Sequence, residues 1–220
     1  MVVAPTQVAA YRFCDARLSF RFLKVPYNAA RFPLRIPMAL KATVHRAALQ
    51  VCDLDRHYYA SHALTLAQHP SETDTRLMVR LLAFGLFADE RLAFGRGISS
   101  EDEPDLWRRS RTDEIEHWIA LGQPDEANLR RACGRARRVT VVGYSGRGFG
   151  LWWEKNAAAL ARCTNLDVVE LPAASTEALT PLLARGMDLQ CLIQDGEVQL
   201  ISEGAAVTVV PLWHKRAAQQ

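Results

Sequence analysis

Apolar residues interrupted at short intervals by polar ones predict β-strands in several segments after residue 38. The first two segments, 40–51 and 58–66, are joined by the turn-like sequence Asp53-Leu54-Asp55-Arg56 and predict a long hairpin. A second hairpin is predicted around Asp195-Gly196, because this dipeptide suits a type I′ turn that needs positive φ. Its strands, and those predicted elsewhere, cover residues 92–98, 105–110, 115–121, 139–144, 166–171, 189–193, 198–201 and 207–213.

Helical spacing replaces this alternation in four places. The first helix follows Pro70, with Ser71 as the expected N-cap and with Leu77, Leu81 and Phe84 in an apolar stripe wide enough for a central core helix. The other helices are predicted after residue 124, after residue 150 up to residue 163, and from residue 175 to residue 185. This order of strands and helices predicts an α/β (α+β) fold in which a mixed β-sheet is flanked by helices.

The composition is that of an ordinary soluble domain, because 220 residues at 49% hydrophobic and 23% charged can bury a sizeable core. The chain has five cysteines, an odd number, and no CxxC pair, which favours a reduced, cytoplasmic protein. No apolar run reaches the roughly 18 residues of a membrane span, so we expect no membrane partner.

The first 37 residues differ from the rest of the chain. They hold six Arg or Lys, one acid, six aromatic residues and four prolines, without a sustained period. Their net charge of +5, set against +3 for the whole chain, leaves about −2 for residues 38–220, so the basic character belongs to this segment. A basic targeting or RNA-binding arm is one interpretation. The other, which we expect, is a disordered or non-native extension preceding a single domain at 38–220.

Acidic side chains mark the predicted hairpin at 105–121. On its second strand Glu116, Trp118 and Ala120 share one face, while Ile119 faces the core. Asp105 opens the preceding strand and is expected near Glu116 or Ala120. Close carboxylates repel each other unless one is protonated or a cation joins them, and Mg²⁺ favours such oxygen-rich sites. On this hypothesis, Asp105→Asn should raise the stability of the metal-free protein.

Arginines dominate the helix predicted after residue 124. Arg130, Arg131 and Arg135 lie on it, and Arg147 lies in the glycine-rich turn that follows the next strand. Guanidinium groups bind phosphate through a planar fork, so this row suits a nucleic-acid backbone. A solvated helix face whose cations complement the helix dipole is the alternative. The glycine-rich turn matches neither GxGxxG at its proper spacing nor the P-loop pattern.

Several blocks of the sequence are similar to the YaeQ family, whose fold is a variation on the PD-(D/E)XK nuclease fold. They are MALKATVHRAALQVCDLDRHYY, LTLAQHPSETDTRLMVRLLAFGLFADERLAFGRGI, DEPDLW, IEHWIALGQPDE, RRACGRAR, WWEKN and IQDG. The resemblance covers nearly everything from Met38 onward. It implies a PD-(D/E)XK nuclease-like core with added β-hairpins, and a divalent-metal-dependent phosphodiesterase that acts on nucleic acid.

The resemblance also implies roles for individual residues. Asp105 and Glu116 would bind Mg²⁺ or Mn²⁺, Glu72 would assist from the first helix, and Gln123 would orient water in place of the motif lysine. For Glu72 the alternative is a charge that complements the helix N-terminus. The family pattern carries an acid where this chain has Ala120, so a second interpretation is a catalytically inactive module that binds nucleic acid or a transcription-related protein.

Overall fold

The computed structural model describes residues 42–96 and 103–218, which form two β-sheets and four α-helices. The strands are β1 Thr43–Asp53, β2 Tyr58–Gln68, β3 Leu92–Phe94, β4 Leu106–Arg109, β5 Ile115–Leu121, β6 Ala136–Gly143, β7 Leu166–Glu170, β8 Gly186–Gln194, β9 Glu197–Ser202, β10 Ala205–Val209 and β11 Leu212–Lys215. The helices are α1 Asp74–Leu86, α2 Glu126–Arg135, α3 Arg147–Leu160 and α4 Ala173–Ala178, with a 3₁₀ turn at Thr180–Leu182. The first 37 residues, and the predictions made for them, lie outside the described residues.

Both sheets are mixed. Sheet A has the order β10-β9-β8-β1-β2, with β1 and β8 parallel and the other pairs antiparallel. Sheet B has the order β11-β7-β6-β5-β4-β3, in which β5, β6 and β7 are parallel. The predicted mixed α/β fold is therefore confirmed, with the difference that its strands divide between two sheets.

Helix α1 lies in the main core, which contains side chains of both sheets. Its residues from Leu77 to Gly85 are all buried, which explains why its apolar stripe is so wide. Gly85 allows a close approach to sheet A, since a Cβ atom there would lie 2.7 Å from the sulfur of Cys191. On the other face of sheet B, α2 and α3 cover a second apolar cluster that includes Trp118 and Ala120.

Three predicted elements end earlier or start later than expected, each for a local reason. The strand predicted at 207–213 breaks before Pro211, which has no N–H to donate, so β10 joins sheet A and β11 joins sheet B. Pro181 likewise divides the helix predicted at 175–185 into α4 and the 3₁₀ turn. The N-cap of α1 is Thr73 and not Ser71, because the Thr73 side chain accepts the Arg76 N–H.

The turn predicted at Asp195-Gly196 is present, with φ of 53° and 78° at the two residues. No helix in residues 42–96 and 103–218 is long and apolar enough to cross a membrane.

Candidate functional site

Glu72 and Asp105 meet at one arginine. Glu72 immediately precedes the N-cap of α1, and its two carboxylate oxygens lie 3.0 Å from Nη1 of Arg76 and 3.1 Å from Nη2 of Arg80. Nη2 of Arg76 lies 2.5 Å from Oδ1 of Asp105, which directly precedes β4. We call Glu72, Arg76, Arg80 and Asp105 the Arg76 cluster. Its two carboxylates are held together by cations of the protein itself.

The remaining oxygen of Asp105 is also engaged. Oδ2 accepts a hydrogen bond from the backbone N–H of Leu121 at 2.7 Å, so Asp105 ties the start of β4 to the end of β5. Burial alone would lower the pKa of Arg76, but the Asp105 carboxylate raises it above its ordinary value. Tyr144 lies beside the same cluster, and burial raises the pKa of its phenol although Arg76 opposes the change.

Glu116 does not join the Arg76 cluster: of the two predicted neighbours of Asp105, Ala120 lies beside it and Glu116 does not. Leu106 pairs with Ile119, which places Asp105 beside Ala120 and four residues along β5 from Glu116, roughly 13 Å away. Glu116 instead accepts from Arg91 at 3.1 Å and 2.8 Å, and its Oε2 lies 2.9 Å from Nε of Arg108. The hydrogen bonds from Arg91 lower the pKa of Glu116 further than burial raises it.

Ala120 lies on a face of β5 that α2 and α3 largely cover. It is 8% exposed and belongs to the apolar cluster under α2 and α3, together with Leu129 and Val141. Both faces of β5 are therefore covered from His117 onward. Strand alternation correctly assigns Ala120 and Ile119 to opposite faces of β5, but it does not indicate that helices cover the face of Ala120.

This arrangement does not fit the Mg²⁺ or Mn²⁺ ion that the sequence resemblance implies. A divalent cation needs carboxylate oxygens that are free and aimed at one point. Asp105 and Glu72 already bind arginines, and Glu116 lies at the other end of the strand pair. Within residues 42–96 and 103–218, no three His, Cys, Asp or Glu side chains form a group that could hold a metal ion.

Gln123 and Arg147 lie near each other at the carboxyl ends of β5 and β6. Nε2 of Gln123 donates to Oγ of Ser145 at 2.8 Å, across the loop that leads into α3. Gly146 is the N-cap of α3, and Arg147 is the first residue of the helix and is exposed. Gln123 therefore contacts a loop serine, two residues after the Leu121 N–H that binds the Asp105 carboxylate.

The predicted phosphate-binding arginines of α2 are exposed, and two of them line a groove. Arg130 forms an ion pair with Glu126 one turn earlier. Arg131 and Arg135 line a cavity of about 340 Å³ between α2 and the ends of β4 and β5, which we call the α2 groove. Its lining residues are Glu103, Pro104, Asp105, Trp118, Ala120, Leu121, Pro124, Asp125, Asn128, Leu129, Arg131, Ala132 and Arg135.

The cations that neutralise the predicted site, Arg76 and Arg80, were not among the predicted site residues. Arg76 lies four residues after Glu72 and Arg80 four residues further, a spacing that places ion-pair partners on neighbouring turns. That signal could have identified the Glu72 pairs. The Arg76–Asp105 contact spans 29 residues and follows no local pattern.

Comparison with known proteins places this architecture among related chains. A family model described as YaeQ protein matches residues 38–211. The Uncharacterized protein YaeQ of Salmonella typhi is 45% identical over 163 residues, which are 74% of this chain and 90% of that protein. The protein of the same name from Escherichia coli (strain K12) is 43% identical over the same shares of the two chains.

Solved structures agree with this result. The crystal structure of YaeQ protein from Xanthomonas axonopodis pv. citri aligns with a TM-score of 0.78 at 57% identity, over 80% of this chain and 99% of that chain. YaeQ protein from Pseudomonas syringae aligns with a TM-score of 0.76 at 34% identity, over 80% of this chain and 97% of that chain.

Proposed function

The chain belongs to the YaeQ family, and we propose that it is a cytoplasmic nucleic-acid-binding module that binds the phosphate backbone in the α2 groove and does not cleave it. The observation behind this proposal is which charged side chains of the α2 groove already have partners within the protein. Its carboxylates are engaged by groups of the protein, whereas its two arginines, Arg131 and Arg135, form no ion pair with a residue in the described part of the chain.

Each acidic residue of the groove already has partners. Asp105 is bound by Arg76 and the Leu121 N–H, as described above. Asp125 caps α2 by accepting the Ala127 N–H at 3.0 Å. Glu103 accepts the backbone N–H of Arg96 at 3.3 Å. A carboxylate that is already paired repels an approaching phosphate less than a free one, because the partner offsets its charge.

The two arginines keep their charge available. Arg131 donates to the neutral Asn128 side chain, and Arg135 has no hydrogen bond or ion pair with any residue in 42–96 or 103–218. They are four positions apart on α2, so they lie on neighbouring turns of one face. Guanidinium forks on one helix face suit successive phosphates of a backbone.

The magnesium- or manganese-dependent phosphodiesterase that the resemblance implies stays a prediction. It would require Asp105 and Glu72 to leave Arg76 and Arg80 before either could bind a cation. That exchange breaks a largely buried ion-pair network, which is costly unless the new partners replace every contact. A transcription-related protein partner also stays a prediction.

Fluorescence anisotropy with a labelled 20-base-pair duplex and a single strand of the same length tests the binding. If two arginines neutralise phosphates, the double variant Arg131→Ala/Arg135→Ala should bind more weakly. Its slope of log affinity against log salt should be smaller by about 1.8 for the duplex and about 1.4 for the single strand. The matched control, Arg46→Ala/Arg185→Ala, removes two exposed arginines that lie outside the groove.

Equal affinity and equal salt dependence in the two double variants would refute binding in the α2 groove. The same labelled strands, incubated with Mg²⁺ or Mn²⁺, test the second half of the proposal. If the wild type cleaves the strands and Asp105→Asn does not, the protein is a phosphodiesterase and not a non-cleaving module.

A further inference from the structure

A second cavity, of about 290 Å³, lies away from the α2 groove, next to the β1–β2 turn and the C-terminal end of α1. We call it the sheet-end cavity. It shares no lining residue with the α2 groove. The lining residues that matter here are Arg56, His117, Trp213, Arg108, Arg138 and Arg216. Four arginines around one small cavity require either internal partners or an external anion.

The internal partners do not use all of the guanidinium nitrogens. Arg138 gives Nε to Asp167 at 2.6 Å, and Arg56 gives Nε to Asp53 at 2.5 Å and Nη1 to the Ala88 carbonyl at 3.3 Å. Neither Nη of Arg138 nor Nη2 of Arg56 donates a hydrogen bond to a described residue. These nitrogens are donors available to a ligand.

Two further arginines of the cavity also have guanidinium nitrogens without a partner among the described residues. Arg108 gives Nη1 to Asp89 at 3.0 Å and approaches Glu116 with Nε, which leaves its Nη2 without a partner in the described part of the chain. Arg216 lies over the ring of Trp213, 4.2 Å from its centroid, and forms no ion pair with a described residue.

The two acidic residues that line the cavity are both engaged by groups of the protein. Asp53 accepts both the backbone N–H and the Nε of Arg56. Asp55 accepts the N–H groups of Asp195 and Gly196 at 2.8 Å and 2.9 Å, where it holds the β8–β9 turn. Four arginines and two carboxylates therefore line the cavity, and the carboxylates that pair with Arg108 and Arg138 lie outside its lining.

One polar group inside the cavity is buried and neutral. His117 is 6% exposed, its Nε2 lies 2.8 Å from Oγ1 of Thr140, and its ring packs edge-on against Phe87. Burial, reinforced by Arg138 and Arg108, lowers the pKa of His117 to about 3. A neutral imidazole adds a hydrogen-bonding group without a further charge, and Phe87 and Trp213 supply aromatic surface.

We propose that the sheet-end cavity binds a small organic phosphomonoester, with the phosphate between Arg56, Arg108 and Arg138 and the organic part against Trp213. Planar guanidinium forks favour phosphate over a spherical anion. The volume lies at the lower limit of ligand pockets, which restricts the ligand to about the size of a mononucleotide. The proposal is independent of nucleic-acid binding at α2.

Calorimetry on the full chain with adenosine 5′-monophosphate, ribose 5-phosphate, inorganic phosphate and adenosine tests it. We expect both phosphomonoesters to bind more tightly than inorganic phosphate, and adenosine not to bind. Tighter binding of the nucleotide than of the sugar phosphate would assign the aromatic surface to a base, and equal binding would assign the cavity to a sugar phosphate.

Two variants keep the half-buried carboxylates of Asp89 and Glu116 paired. Arg108→Gln leaves Asp89 and Glu116 with Arg91, and Arg216→Ala removes no ion pair with a described residue. Each should weaken phosphomonoester binding, Arg108→Gln by about tenfold, because it removes a charge-assisted hydrogen bond. Arg131→Ala/Arg135→Ala should leave it unchanged.

Three results would overturn the proposal. They are no binding of either phosphomonoester, binding no tighter than that of inorganic phosphate, and binding lost in Arg131→Ala/Arg135→Ala but retained in Arg108→Gln. The last result would assign the ligand to the α2 groove.

Discussion

The Asp105→Asn substitution separates the two accounts of the candidate site, because they predict opposite signs. If Asp105 belonged to a crowded acidic cluster, removing its charge would relieve repulsion and raise stability. In the structure it accepts from Arg76 at 2.5 Å and from the Leu121 N–H at 2.7 Å. The side chains of Asp105 and Arg76 are only 11% and 17% exposed. The variant should therefore be less stable.

The loss in the free energy of unfolding depends on which contacts of Asp105 an asparagine can still make. Its amide oxygen can still accept from Leu121, but the ion pair with Arg76 is lost, at a cost of about 2 kcal/mol for a hydrogen bond between charged groups. Arg76 keeps Glu72 as a partner, which holds the loss below the roughly 3–5 kcal/mol of an isolated buried pair. For a domain of this size about 2 kcal/mol lowers Tm by roughly 4–8 °C.

Thermal and urea unfolding in buffer with EDTA measure this difference. Asp113→Asn is the matched control, because it removes the same charge from an ion pair with Arg109 in which Asp113 is 76% exposed. A surface pair contributes about 0.5 kcal/mol or less. Asparagine also tolerates the positive φ of 66° at that position. A rise in Tm for Asp105→Asn, with the control unchanged, would refute the Arg76 ion pair.

Three further predictions concern other parts of the fold. Ala120→Glu should lower the free energy of unfolding by about 2 kcal/mol or more, because it brings a charge into the apolar cluster under α2. The neutral control Ala120→Gln should lower it less. Unchanged stability of Ala120→Glu together with tighter Mg²⁺ binding would contradict this prediction. Thr73→Ala should cost about 1 kcal/mol in urea unfolding through loss of the α1 N-cap, whereas an equal loss in Ser71→Ala would contradict the assignment. His117 is buried with its pKa lowered from 6.5 to about 3, so protons favour the unfolded chain, and the stability present above about pH 6.5 falls as the pH drops towards 3. Between about pH 7 and pH 5 this loss should be about 2 kcal/mol larger in the wild type than in His117→Gln, and equal losses would show that His117 is not buried as a neutral group.

Local patterns carry much of the secondary structure of this protein. The strand predicted within residues 40–51 is present as β1, whose alternation places Ala47, Leu49 and Val51 in the core. The turn at Asp195-Gly196 is equally local, because its backbone needs positive φ at two adjacent residues. These features depend on residues that are close in sequence, so the sequence alone determines them.

The candidate site depends on contacts between residues far apart in the chain. Strand alternation correctly places Ala120 opposite Ile119, but only the packing of α2 and α3 decides that the Ala120 face is buried. In the same way, the sequence shows that residue 105 is an aspartate that directly precedes a strand. Its ion-pair partner depends on the packing of α1, which brings Arg76 within 2.5 Å of it.

Electrostatics explains why composition could not supply this information. An acidic group attracts a metal ion, an arginine or a backbone N–H, and its pKa and energy depend on which of these lies within a few ångströms. The sequence determined that acids lie on β5 and before β4, and that arginines lie on α1 and α2. Only the tertiary structure decided that Asp105 and Glu116 bind different arginines at opposite ends of one strand pair, because β4 and β5 pair in the register that separates them.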